Sequence, residues 1–131
     1  MKKLHLIISV IIVIPVALVY GTAHQVLLPW LFHFEAGTTN LHNVLRAFMG
    51  LYLGMSTLWL AGIFNKRYWQ TATVCNIIFM AGLALGRLVS FLTDGFPSSI
   101  LTIGFFGETI LALFGYYNLH TYNAADSTST R

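Results

Sequence analysis

The chain has 131 residues, of which 56% are hydrophobic and only 8% carry a charge. Soluble domains carry roughly a quarter charged residues, so these few charges could not cover a water-soluble surface. The formal net charge of +3 forms no basic patch, and we expect no nucleic-acid binding. The single cysteine, Cys75, excludes a disulfide framework and a thiolate zinc site.

Four apolar runs are each long enough to cross a bilayer, which takes about 20 residues. They predict membrane spans at residues 4–20, 41–64, 69–92 and 99–119. The run lengths and the lack of period-two alternation predict helices and not barrel strands. The fold class is therefore all-α, a four-transmembrane-helix bundle forming one membrane domain over residues 1–119. Residues 120–131 are polar and small, and we expect a disordered C-terminal tail there.

The first span is similar to a secretory signal peptide. Lys2 and Lys3 precede its apolar core, and the small residues Gly21 and Ala23 follow it. The core is about 17 residues long, more than the usual 7 to 15 of a signal peptide. We therefore expect a retained helix, kinked at Pro15 because proline frees a backbone carbonyl.

The segment between the first two spans is apolar and aromatic. We expect it to lie along the membrane interface, with Trp30, Phe32 and Phe34 at headgroup depth. The same segment carries or adjoins four residues of metal-ligating type: His24, His33, Glu35 and His42. Their spacings match no recognised ligand pattern, so we expect no metal and no cofactor.

The positive charges near the span ends predict the orientation. Lys and Arg favour cytoplasmic loops. They precede the first span and fill the link 65–68, but are absent from the connections 22–40 and 93–99. Both termini are therefore expected in the cytoplasm.

Three charged side chains lie inside the predicted spans: Arg46, Arg87 and Glu108. A charge at a helix centre costs about 2.5–3.5 kcal/mol on insertion scales, so lipid-facing positions are unfavourable. Helical periodicity puts each of them on or beside a stripe of polar and small residues, the pattern of helix-facing surfaces in lipid. In the second span the stripe is Asn43, Ala47, Gly50, Gly54 and Thr57, with Arg46 at its edge. In the third it is Asn76, Met80, Arg87, Ser90 and Asp94. In the fourth it is Gly104, Glu108, Leu111 and Gly115.

These stripes predict an outward-facing polar pocket. Its expected ligand-binding residues are Asn43, Arg46, Arg87, Ser90, Asp94 and Glu108. Arg87 is expected within direct or water-bridged hydrogen-bonding reach of Glu108, with Asp94 nearer the surface. Two arginines against one mid-membrane carboxylate leave a surplus of positive charge, which suits a small anion or a lipid headgroup.

Three functions remain open. The first is a non-enzymatic membrane protein that binds such a ligand in the pocket. The second is a structural or assembly protein whose buried charges only hold helices together. The third is a small proton-coupled transporter that uses Glu108. The lipid bilayer is the expected partner in each case, and a homo-oligomer is open.

Three segments together resemble a known family: "NVLRAFMGLYLG", "AGLALGRLVSFLTDG" and "FGETILALFG". The family is a group of short bacterial four-helix integral membrane proteins filed as a domain of unknown function. Its pattern is Asn-x-x-Arg-x-x-x-Gly, then Gly-Arg-x-x-Ser followed by Asp-Gly, then a Glu in the fourth helix. The matching positions are Asn43, Arg46, Gly50, Gly86, Arg87, Ser90, Asp94, Gly95 and Glu108. The resemblance implies a multi-pass protein of the bacterial inner membrane and supplies no activity.

Overall fold

The computed structural model of the protein describes residues 1–32 and 37–128, and its regular structure over these ranges is entirely helical. The α-helices are, in order, α1 (Leu4–Gly21), α2 (His24–Phe32), α3 (Thr39–Phe64), α4 (Trp69–Thr93) and α5 (Ser99–Thr128). All except α2 are long and apolar enough to cross a membrane. The prediction of an all-α, four-span integral membrane protein is confirmed.

Local side-chain chemistry sets the ends of the long helices. The Thr38 side chain caps α3 by accepting a hydrogen bond from the Leu41 amide at 3.3 Å. At the other end, Asn65 is extended and ends α3, and its Oδ1 accepts a bond from the Arg67 amide at 2.9 Å. Gly95 follows α4 with φ +92°, a conformation that glycine adopts without strain.

The helix α5 is longer than the sequence suggested. The fourth span was predicted to end at residue 119, with a disordered tail from residue 120, but α5 continues to Thr128. Extending an existing helix is far easier than starting one, and Ala124 and Ala125 are strong helix formers. Residues 129–131 lie outside the described residues, and their disorder remains a prediction.

The segment expected at the membrane interface contains α2. Its Leu28 is fully buried and packs with Leu45 of α3, while Trp30 is 74% exposed. One face of this short helix therefore rests on the bundle and the other points outward. Phe34, which was also expected at headgroup depth, lies outside the described residues.

The core consists of two closely packed helix pairs, α1 with α3 and α4 with α5, which meet mainly through α3 and α4. Aromatic rings fill the centre: Phe79 of α4 makes edge contacts with Tyr52 and Trp59 of α3, at centroid distances of 5.1 and 5.3 Å. Near one end α3 and α4 approach so closely that a Cβ on Gly62 would lie only 2.4 Å from the Cβ of Ala72.

The predicted inward stripes hold for two spans and fail for one. In α4, Asn76 and Met80 are buried and Arg87 is partly buried; in α5, Glu108 is partly buried and Leu111 is buried. In α3 the predicted stripe is exposed throughout: Asn43, Ala47, Gly50, Gly54 and Thr57. The buried residues of α3 are instead Leu45, Tyr52, Ser56, Trp59 and Gly62. The prediction for α3 was wrong because its large aromatic side chains, and not its small residues, pack against α1 and α4.

Candidate functional site

An ion pair joins α4 to α5 inside the bundle. The Arg87 Nε donates to Glu108 Oε2 at 2.8 Å and to Oε1 at 3.1 Å, and Nη2 donates to Oε1 at 2.9 Å. The side chains of Arg87 and Glu108 retain only 25% and 13% of their exposure. Bidentate pairs of this kind fix geometry as well as charge. The predicted contact between Arg87 and Glu108 is confirmed.

Helix direction explains why these two side chains meet. Arg87 lies six residues before the end of α4, and Glu108 nine residues after the start of α5. At 1.5 Å per residue, their backbones are about 9 and 14 Å from those helix ends. Cβ atoms tilt towards a helix N-terminus, so Arg87 points deeper and Glu108 points back towards the α4–α5 loop. A Cβ on Gly104 would lie 3.6 Å from the Arg87 Cζ, so the guanidinium rests against a bare helix backbone.

Two tyrosines complete the polar cluster. Tyr20, near the end of α1, lines the same cavity as Arg87. The Tyr20 and Tyr52 rings lie 5.8 Å apart. The sequence analysis did not find these residues, because a tyrosine in an apolar span is usual and carries no pattern that points to an arginine on another helix.

The cluster borders a cavity of about 390 Å³. Its walls come from residues 12–20 of α1, 80–87 of α4 and 100–111 of α5, with Tyr52 contributed by α3. Within the part of the chain that the structure describes, all its lining residues are apolar apart from Tyr20, Tyr52, Arg87 and Glu108. The cavity is therefore a largely apolar space with one polar end.

The other predicted site residues do not line this cavity. Asn43 and Arg46 are exposed on α3, since the face that carries them points away from the core. Ser90 donates to Asp94 Oδ2 at 3.1 Å, near the exposed end of α4. Of the six predicted ligand-binding residues, the structure brings only Arg87 and Glu108 together at the cavity.

The histidine-rich segment can be compared only in part. Within residues 1–32 and 37–128, no three His, Cys, Asp or Glu side chains lie close enough to hold a metal ion. His33 and Glu35 lie outside the described residues. The expectation of a metal-free segment therefore stays a prediction.

A second polar cluster lies at the opposite end of the bundle, and the sequence analysis missed it. His5 is fully buried; its Nε2 lies 3.2 Å from Thr73 Oγ1 and its Nδ1 lies 3.0 Å from Asn118 Nδ2. Thr73 Oγ1 itself donates to the Trp69 carbonyl at 2.8 Å. Thr73 must therefore accept from His5 Nε2, which leaves Nδ1 to accept from Asn118. One imidazole thus ties α1 to both α4 and α5.

Further buried polar atoms have no hydrogen-bond partner within the described part of the chain: Ser56 Oγ, Trp59 Nε1, and Nδ2 and Oδ1 of Asn76. All three residues are at most 1% exposed. Such groups are costly when unpaired. Their burial shows that these three residues of α3 and α4 face the bundle interior and not the lipid.

Comparison with known proteins gives a family but no activity. No curated protein and no solved structure matches the chain. One family model matches residues 1–119, which cover all four spans up to the final turns of α5. By that match the chain belongs to the family described as "Domain of unknown function (DUF4345)".

Proposed function

We propose that this integral membrane protein binds a membrane amphiphile, with the polar group of the ligand at the Arg87–Glu108 pair. The observation that carries the proposal is the position of that pair, at one end of a cavity whose other walls are apolar. A molecule with one polar end and an apolar chain matches this distribution. The proposed role is non-enzymatic.

The size and composition of the cavity support a ligand. Its volume of about 390 Å³ falls in the range of roughly 300–1,000 Å³ found for small-molecule pockets, which are mostly apolar with a few placed polar groups. Ionisable residues within a membrane are costly and usually functional. A ligand bound in the adjoining cavity accounts for the presence of Arg87 and Glu108 within the membrane.

A small anion fits the geometry less well than an amphiphile. The expected surplus of positive charge required both Arg46 and Arg87 at the pocket, but only Arg87 lines the cavity. Its charge is already matched by Glu108 through the bidentate contact. An anion would have to compete with that carboxylate.

A structural role is the second candidate, and one observation favours it. The Arg87–Glu108 pair connects α4 with α5 by three hydrogen bonds, as helix-joining polar contacts do in membranes. Under this alternative the cavity holds no specific ligand. No observation in the described residues supports a proton-coupled carrier, because the Glu108 carboxylate is hydrogen-bonded to Arg87.

Native mass spectrometry of the purified protein separates the first two functions. The double variant Arg87→Met/Glu108→Met removes both charged side chains from the cavity and keeps its volume and helix contacts similar. Arg46→Met is the matched control, because it removes an exposed arginine that does not line the cavity. We expect a bound lipid on the wild type and on Arg46→Met, and its loss from a folded double variant. A double variant that keeps the lipid, or a wild type without one, contradicts lipid binding at the pair.

A further inference from the structure

We infer that the ligand is an uncharged amphiphile that reaches the Arg87–Glu108 pair sideways from the bilayer, through a gap between α1 and α5. The inference rests on the proposed function and adds to it the chemical class of the ligand and its path. Three observations carry it: the exposed mouth of the cavity, the bare glycine wall beside it, and the charge balance at its polar end.

The mouth of the cavity lies on the surface that faces lipid. Ile12 of α1 and Ile103 of α5 both line the cavity, yet they are 49% and 70% exposed. Pro15 and Ile100 also line it and are exposed. The helices α1 and α5 contact each other much less than α1 contacts α3 or α5 contacts α4. The cavity is therefore open between α1 and α5, on a side of the bundle that faces the bilayer.

Glycines keep the α5 wall of the cavity open. Gly104 and Gly107 both line it. A Cβ at Gly107 would have no neighbouring atom within 4 Å, so close helix packing does not require a glycine there. Glycine is about 1 kcal/mol less favourable than alanine inside a helix. A glycine at position 107 leaves space in the cavity that a ligand can occupy, which accounts for its presence in the helix.

The charge balance selects an uncharged polar group. The pair is neutral as a unit, so a charged ligand would add a net charge to a low-dielectric interior at a cost of several kcal/mol. An anion drawn to Arg87 would also meet the Glu108 oxygens, which lie 2.8–3.1 Å from the guanidinium nitrogens. A neutral group meets neither penalty. A guanidinium has five N–H donors, and the pair leaves some of them for a carbonyl or hydroxyl oxygen.

The depth of the Arg87–Glu108 pair in the membrane also favours an uncharged ligand. The backbones of Arg87 and Glu108 lie about 9 and 14 Å from the nearest helix ends, at 1.5 Å per residue. A charged headgroup would have to leave the membrane interface and move into the hydrocarbon region to reach them. An alcohol or ester oxygen loses much less solvation on the same path.

Photocrosslinking with a matched set of probes tests the class of ligand. Monooleoylglycerol, oleate and oleylamine share one hydrocarbon chain, carry the same diazirine, and differ in headgroup charge. Each probe is added to the purified full chain in nanodiscs, and crosslinked peptides are identified by mass spectrometry. We expect monooleoylglycerol to label α1 and α5 around the mouth at least about tenfold more than either charged probe, since a charge costs several kcal/mol and 1.4 kcal/mol is a factor of ten.

Two variants with matched controls test the path. Gly107→Leu fills the cavity wall, and Gly82→Leu makes the same change on the exposed side of α4, where a Cβ also has no neighbour within 4 Å. Ile103→Trp obstructs the mouth, and Ile78→Trp places the same ring on an α4 position that is 67% exposed and does not line the cavity. We expect labelling to fall at least about fivefold in each first variant and to be unchanged in each control. If Gly107→Leu does not fold, the comparison of Ile103→Trp with Ile78→Trp still tests the path between α1 and α5.

The outcomes distinguish this inference from the function on which it rests. Equal or stronger labelling by oleate or oleylamine overturns the uncharged class and leaves lipid binding intact. Unchanged labelling in both Gly107→Leu and Ile103→Trp overturns the path between α1 and α5. If no probe labels the cavity residues and no lipid is bound to the wild type, the proposed function itself fails.

Discussion

Removing one member of the Arg87–Glu108 pair should destabilise the protein far more than removing both. In Glu108→Met, the guanidinium stays inside the bundle without its carboxylate and loses three hydrogen bonds. Breaking a fully buried pair in this way costs about 3–5 kcal/mol. The Arg87 side chain keeps 25% of its exposure, so the pair is not fully buried. We therefore expect a smaller loss than for a fully buried pair, about 2–3 kcal/mol, and a similar loss for Arg87→Met.

The double variant Arg87→Met/Glu108→Met should recover most of that loss, because it leaves no uncompensated charge. Replacing a buried pair with apolar residues of similar volume is often neutral. If the double variant loses only about 1 kcal/mol, the two single losses exceed it by about 3–5 kcal/mol, which is at or above the upper range of measured couplings between contacting residues.

The free energy of unfolding in detergent, followed by circular dichroism during denaturant titration, measures each corner of this cycle. Arg46→Met is the control and should change stability by no more than about 0.5 kcal/mol, as exposed substitutions usually do. A double variant whose loss equals the sum of the single losses would refute the reasoning. Arg87 and Glu108 would then stabilise the bundle independently, and the contact between them would contribute nothing.

Three further predictions concern other parts of the molecule. Gly62→Ala should lower the free energy of unfolding by about 1–3 kcal/mol, because the new Cβ would overlap Ala72; Gly50→Ala, which meets no atom within 4 Å, should be neutral or slightly stabilising. His5→Leu should lower the free energy of unfolding by about 2–3 kcal/mol, because it removes two hydrogen bonds and leaves a buried amide donor unpaired. The exposed His120→Leu should change the stability little, and equal effects of the two variants would contradict the role of the buried imidazole. The loop charges predict that single cysteines on the α2 side of the membrane react with an impermeant thiol reagent in intact cells and that one at the other end does not, and the reverse pattern would overturn the orientation. In a Cys75→Ser background, the positions for this cysteine test are Thr38 and Ser98 on the α2 side and Asn65 at the other end.

The spans and the central ion pair could be predicted from the sequence because the bilayer imposes both. An apolar run of sufficient length has few alternatives to a membrane helix, and all four predicted spans lie within α1, α3, α4 and α5. Charged groups in lipid need partners, and among the predicted spans Glu108 is the only carboxylate. The contact with Arg87 followed from the stripes on α4 and α5.

The rotation of α3 and the position of the cavity could not be predicted in the same way. Both the lipid-facing and the core-facing sides of a membrane helix are apolar, so hydrophobic periodicity carries little information about which side is buried. The small-residue stripe containing Gly50 and Gly54 therefore gave the wrong face, while Tyr52 and Trp59 fill the core. The cavity depends on how far α1 stands from α5, which no local pattern encodes. His5 was overlooked because it lies beside the N-terminal lysines, where polar residues are expected.

The two membrane arginines illustrate how helix direction decides which charge needs a partner. Arg46 lies seven residues after the start of α3, and Arg87 lies six residues before the end of α4. Their backbones are therefore at similar depths, about 10 and 9 Å from helix ends on the same side of the bundle. Side chains tilt towards the helix N-terminus, so Arg46 points to the nearby surface and can extend its guanidinium to the interface. Arg87 points towards the membrane centre and away from the interface. Arg46 has no acidic partner among residues 1–32 and 37–128, and its exposed position makes this tolerable. Arg87 points inward and requires Glu108, and the polar end of the cavity lies where these two side chains meet.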